Sequence, residues 1–135
     1  MDKINQAFHD LMFLKNFQMK ATEKEDHWLY EGKLSVKEEH TIDFAVSISK
    51  GVKTAIGQIV FRNIASFDPE RGNRSSFLEL INDLNVTNGA YYYYCLDRDN
   101  RVFIRYVSEV NSDIEPFFDI LVVGPSLIKT TIDRF

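Results

Sequence analysis

Residues 41–49 read Thr-Ile-Asp-Phe-Ala-Val-Ser-Ile-Ser, and this short run decides the fold class. Ile42, Phe44, Val46 and Ile48 alternate strictly with Thr41, Asp43, Ala45, Ser47 and Ser49. Successive side chains of a strand point to opposite faces, so one face of this strand is apolar and the other polar. Upstream, Trp28, Tyr30, Gly32 and Leu34 alternate with Leu29, Glu31 and Lys33, and the charged connection Val36–His40 has hairpin length. Downstream, beyond Lys50–Lys53, Ile56–Ile64 reads as a third strand, with Gly57 at a bulge. Short links between successive strands predict an antiparallel meander.

Helical periodicity brackets this meander. In residues 3–17, Ile4, Ala7, Phe8, Leu11, Met12 and Leu14 form one apolar stripe, with Asp2 as N-cap. Lys20–Asp26 is polar and reads as a loop. The breaker-rich Asp68–Asn73 loop leads into a second helix capped by Asn73 or Ser76, the latter at capping-box spacing from Glu79. Its stripe is Phe77, Leu80, Ile81 and Leu84, and Asn88-Gly89 ends it, with Gly89 taking a left-handed conformation. A hairpin follows, Ala90–Leu96 and Val102–Val110 around the turn Asp97–Arg101. Ile114, Phe117, Phe118, Leu121 and Val122 make a third stripe, which Gly124-Pro125 breaks or kinks before a short terminal helix over 126–135. The predicted order is α-β-β-β-α-β-β-α. It describes one α+β domain over residues 1–135, a twisted antiparallel sheet of about five strands with flanking helices.

Composition excludes several classes. The 135 residues include 11 Phe, 6 Tyr and 1 Trp but only 6 Gly and 3 Pro, which is incompatible with disorder or low complexity. No apolar stretch approaches a bilayer span, so no membrane partner is expected. The single cysteine, Cys95, cannot form an internal disulfide, and the N-terminal stretch reads as a helix rather than a signal peptide. Cytoplasmic location is the resulting expectation. A net charge of −4 argues against a general nucleic-acid footprint.

Chemistry-bearing patterns are scarce. His9, His27 and His40 have no metal-ligand spacing, Ser75 and Ser76 have no nucleophile motif, and Cys95 reads as a small core residue. No catalytic residue, cofactor or metal is assigned, and the expectation is a non-enzyme. The unusual feature is Tyr91-Tyr92-Tyr93-Tyr94. Alternation sends Tyr91 and Tyr93 to one face and Tyr92 and Tyr94 to the other. Tyrosine tolerates half-burial and is enriched at interfaces, so these four, with Trp28 and Tyr30, are the candidate partner or dimer surface. Two other readings are ordinary packing in a strand of high β-propensity, and base stacking beside Arg98, Arg101 and Arg105.

From the second helix onward the chain resembles the YbjN family of bacterial sensory-transduction regulators. The residues that carry the resemblance are Phe77-Leu78-Glu79-Leu80-Ile81-Asn82-Asp83-Leu84-Asn85, a leucine-rich helix with an Asn-x-x-Asn ending. The aromatic strand Tyr91–Leu96, the strand Arg101–Val107 and a helix opening near Asp113 complete it, within residues 73–123. The resemblance implies a type III secretion chaperone-like fold, a homodimer, and a protein partner held on apolar helix and sheet surface. It implies no catalytic residues, and it leaves Asn82 and Asn85 a structural role near the helix end. A pocket between sheet and helices near Trp28 and Tyr30, serving a small-ligand sensor, is the alternative expectation.

Overall fold

A computed structural model describes residues 1–135. The chain runs α1 (Lys3–Leu14), β1 (Lys20–Glu23), β2 (His27–Lys37), β3 (His40–Ser49), β4 (Ala55–Ser66), α2 (Arg74–Thr87), β5 (Tyr93–Leu96), β6 (Arg101–Val110) and α3 (Glu115–Thr131), then a 3-10 turn at Ile132–Arg134. All strands pair antiparallel in one six-stranded sheet of order β1-β2-β3-β4-β6-β5. The α+β class and the antiparallel sheet agree with the periodicity of the sequence; the strand count does not. Lys20–Glu23, expected as a loop, is the edge strand β1, paired with Trp28–Glu31. Its four residues, Lys-Ala-Thr-Glu, have too little apolar pattern to register as a strand. The neighbouring strand makes it one by supplying the hydrogen-bonding partner.

The alternation at residues 41–49 does what it predicts. Ile42, Phe44, Val46 and Ile48 are buried, and the same face continues through Tyr30 of β2, Ile59 and Phe61 of β4, and Ile104 of β6. The helices cover this face. Asp2 caps α1, accepting from the Asn5 N–H at 3.2 Å. At its other end Asn16 takes the left-handed φ of 52°, and Phe17 N–H reaches back to the Met12 carbonyl at 3.0 Å. Phe8 of α1 lies 4.6 Å from the Tyr30 ring and 5.8 Å from that of Phe118 on α3, joining both helices to the sheet.

Several local expectations are corrected. Gly57 sits in regular register between Ile48 and Ser108; the bulge comes later, where Arg62, Asn63 and Ile64 oppose the single residue Phe103. Asn63 absorbs the bend with φ 65°. Asn73, not Ser76, caps α2, accepting from the Ser75 N–H at 2.7 Å. The left-handed residue after α2 is Ala90 (φ 50°) and not Gly89. Gly89 is needed instead for the close approach of the Tyr92 carbonyl, which a Cβ there would meet at 2.8 Å.

The third helix does not break at Gly124-Pro125. It runs unbroken from Glu115 to Thr131, with Pro125 inside. The stripe Phe117, Phe118, Leu121, Gly124, Ile128 and Thr131 is buried on both sides of the proline. That continuous packing outweighs the roughly 3 kcal/mol a mid-helix proline costs. Val122, assigned to the stripe, points outward. Gly124 lies directly against the Phe61 ring, which would collide with any Cβ. Gly124→Ala should therefore destabilise the protein by about 1–3 kcal/mol in urea unfolding, whereas propensity alone would make the same change stabilising by roughly 0.5–1 kcal/mol.

Candidate functional site

With the helices on one side, the second face of the sheet is left uncovered. Its side chains run Leu29, Glu31 and Lys33 on β2, Asp43, Ala45 and Ser47 on β3, and Ile56, Gln58, Val60 and Arg62 on β4. Phe103, Arg105 and Val107 of β6 and Tyr93 of β5 continue it. Large apolar side chains stand free here: Tyr93 is 71% exposed, Ile56 53% and Val107 43%. Gly57 and Ser108 pair between Ile56 and Val107, while Tyr93 pairs with Arg105, so the three trace a diagonal across β4, β6 and β5.

The tyrosine run divides between two roles. Tyr92 and Tyr94 are in the core, not on a partner surface. The Tyr92 hydroxyl donates to the Ile120 carbonyl at 2.6 Å. The Thr131 hydroxyl donates to the Leu127 carbonyl, and so accepts from Tyr94 Oη at 2.6 Å. Both tyrosines thus fasten the β5 end of the chain to α3. Tyr93 alone of the four lies on the uncovered face. Tyr91 is exposed but belongs to the turn Gly89–Tyr92, where strand alternation does not apply, and its ring lies 6.4 Å from that of Tyr106.

Trp28 and Tyr30 belong to the helix side. Tyr30 is fully buried, and its hydroxyl donates to Asn5 Oδ1 at 2.8 Å and lies 3.2 Å from His9 Nδ1. Trp28 is half-buried, its ring 5.4 Å from that of His9, and its indole N–H has no partner. Phe8, His9 and Asn5 fill the space expected to hold a pocket between sheet and helices at these residues.

Other polar candidates resolve into structure. Asn85 donates from Nδ2 to the Tyr94 carbonyl (3.0 Å) and accepts from the Tyr94 N–H (2.6 Å). It acts as a one-residue strand that closes the outer edge of β5, rather than as a cap of its own helix. Asn82 is exposed. His40 opens β3 and bonds through Nε2 to the Asn63 carbonyl at 2.7 Å, while Asn63 Nδ2 donates to the Thr41 carbonyl, so the bulge is pinned from both directions. His27 pairs with Asp26, which holds that carboxyl below its ordinary range. Cys95 is half-buried on the uncovered face, not in the core, and burial pushes its thiol up. No three His, Cys, Asp or Glu side chains converge as a metal site, and no helix is long and apolar enough to cross a membrane.

Sequence reasoning overlooked the polar part of this face. A hollow of about 560 Å³ opens at the bulge, lined by Arg62, Arg101 and Arg105 among others. Arg101 and Arg105 were visible in the sequence, but Arg62 joins them only through the β4–β6 register. Arg98, grouped with them in the sequence, lies in the turn after β5 and is not part of the lining.

No protein-family model matches the chain, and no curated protein matches it. Among solved structures it is similar to an uncharacterized protein from Methanothermobacter thermautotrophicus, with TM-score 0.52 and 14% identity over 96% of this chain and 98% of that one. At that identity the likeness is one of fold alone. Fold and face together define an α+β protein with a single antiparallel sheet, sheathed by helices on one side and bare on the other.

Two measurements check the assigned roles. Asn85→Ala should cost about 1–3 kcal/mol of unfolding free energy by stranding two backbone groups of Tyr94. Burial raises the Tyr30, Tyr92 and Tyr94 hydroxyls above the ordinary tyrosine range. The unfolded chain therefore loses these protons first, and stability is complete below about pH 10 and falls as pH rises beyond it. In an alkaline titration, three of the six tyrosines should develop phenolate absorbance only as the fold opens.

Proposed function

We propose that this protein is a non-enzymatic binding module of chaperone-like type whose uncovered sheet face docks a protein surface, the second copy of the chain in a homodimer. The observation that carries this reading is the exposed diagonal Ile56–Val107–Tyr93 on a face that no helix covers. Exposed apolar side chains grouped on a flat surface favour removal from water against a complementary surface, and tyrosine adds a hydroxyl able to stay hydrated at the rim.

The edges of the sheet bear on how a partner docks. Asn85 occupies the outer edge of β5 at Tyr94, so strand addition on that side is obstructed and face-to-face docking is favoured. The resemblance of residues 73–123 to YbjN proteins supports the same reading, because that family carries a chaperone-like architecture and no catalytic pattern.

Size-exclusion chromatography with light scattering at micromolar concentration should give twice the 15.7 kDa chain mass. Ile56→Asp with Val107→Asp should return it to the single-chain mass with an unchanged circular dichroism spectrum. A wild-type chain that runs as a monomer overturns the dimer.

A further inference from the structure

On two adjacent strands the uncovered face carries matching triplets at every second position: Gln58, Val60, Arg62 on β4 and Arg101, Phe103, Arg105 on β6. Where the bulge pushes β4 away from Phe103, the sheet surface sinks into the hollow of about 560 Å³. Val60, only 5% exposed, and Phe103 contribute apolar lining, and the three arginines supply the cationic part.

Three arginines outnumber the two acids, Asp43 and Asp97, that line the hollow with them. No carboxylate lies within 4.0 Å of Arg62, Arg101 or Arg105. Asp97 also lines the hollow, but its Oδ1 accepts from the Asp99 and Arg101 backbone N–H groups at 2.8 and 2.9 Å and is committed to the turn. Asp43, the other acid present, faces Arg62 across the β3–β4 register without closing to 4.0 Å and lies 3.8 Å from Lys33. Arg105 is held in place: its Nε and Nη2 both donate to Gln58 Oε1, at 3.1 and 2.9 Å. On a chain with formal net charge −4 this local excess of guanidinium runs against the overall balance.

We propose that the hollow is a binding site for a small, multiply charged oxyanion of the phosphate class. Guanidinium forks match phosphate oxygens in bidentate geometry, and they form charge-assisted hydrogen bonds stronger than neutral ones. A bounded hollow lined mainly by polar and charged side chains suits a compact ligand better than an extended polyanion, which needs a continuous basic track. The hollow borders the docking diagonal, with Arg105 paired to Tyr93 and Gln58 to Val107, but all its residues come from one chain, so binding is testable without a dimer.

The probe is inorganic pyrophosphate, titrated calorimetrically at low salt into the wild-type chain and three variants. Arg62→Gln and Arg101→Gln remove side chains without ion pairs, and Arg71→Gln is an exposed control outside the hollow. Thermal melts verify that each variant is folded. Saturable wild-type binding, weakened roughly tenfold or more by Arg62→Gln and by Arg101→Gln but less than about twofold by Arg71→Gln, is the expected result. No saturation up to about 10 mM, or equal weakening by all three variants, overturns the site. Binding only to a single-stranded oligonucleotide, and not to pyrophosphate, overturns the small-molecule assignment. A monomer that binds pyrophosphate as expected leaves this site standing while the dimer reading falls.

Discussion

The contact between the Phe61 ring and Gly124 sets the distance between sheet and helices. Phe61 sits on β4, in the interior of the sheet, with Phe44 at 5.5 Å and Tyr92 at 5.8 Å between ring centres. Glycine at 124 lets α3 settle onto that aromatic layer, and α3 in turn carries Phe117 and Phe118 to meet Phe8 of α1. Once α3 lies this close, the helices share one side of the sheet. The apolar surface of that side is consumed in a single core. What remains is a bare face whose composition is mixed, apolar along one diagonal and cationic at the bulge.

Polar groups tie this arrangement together at its margins. Tyr30, Asn5 and His9 join β2 to α1, and Tyr92 and Tyr94 join the β5 end to α3. Asn85 closes the β5 edge and His40 pins the bulge. Tyr30–Asn5 and Tyr94–Thr131 pair buried side-chain groups across elements, while Asn85 satisfies the Tyr94 backbone at the sheet edge. The tyrosine run shows how finely such needs are divided: neighbouring residues of one strand serve the core and the open face in alternation.

The parts legible in the sequence were those governed by local period. Residues 41–49 and the stripe Ile4–Met12 announced themselves because burial on one face imposes a repeat that the chain itself displays. Strand β1 was illegible because Lys-Ala-Thr-Glu, with a single apolar residue, becomes a strand only through pairing with β2. The continuity of α3 was illegible because Pro125 argues for a break, and only the buried residues on both sides of it argue otherwise. Among the candidate surface residues, Tyr93 was placed where the alternation put it. Alternation grouped Tyr92 with Tyr94 and set Tyr30 on one face of β2, but only the packing of the helices made those faces the core, where each hydroxyl has a partner on a helix.

By itself, then, the sequence determined the α+β class, the antiparallel meander and the faces of its longest elements, since those follow from side-chain periodicity and turn chemistry along the chain. Tertiary structure alone decided which tyrosines are exposed, that Asn85 guards an edge, and that Arg62 stands beside Arg101 and Arg105. Those outcomes depend on strand register and on the bulge at Asn63, which bring distant residues together through pairings that leave no periodic trace.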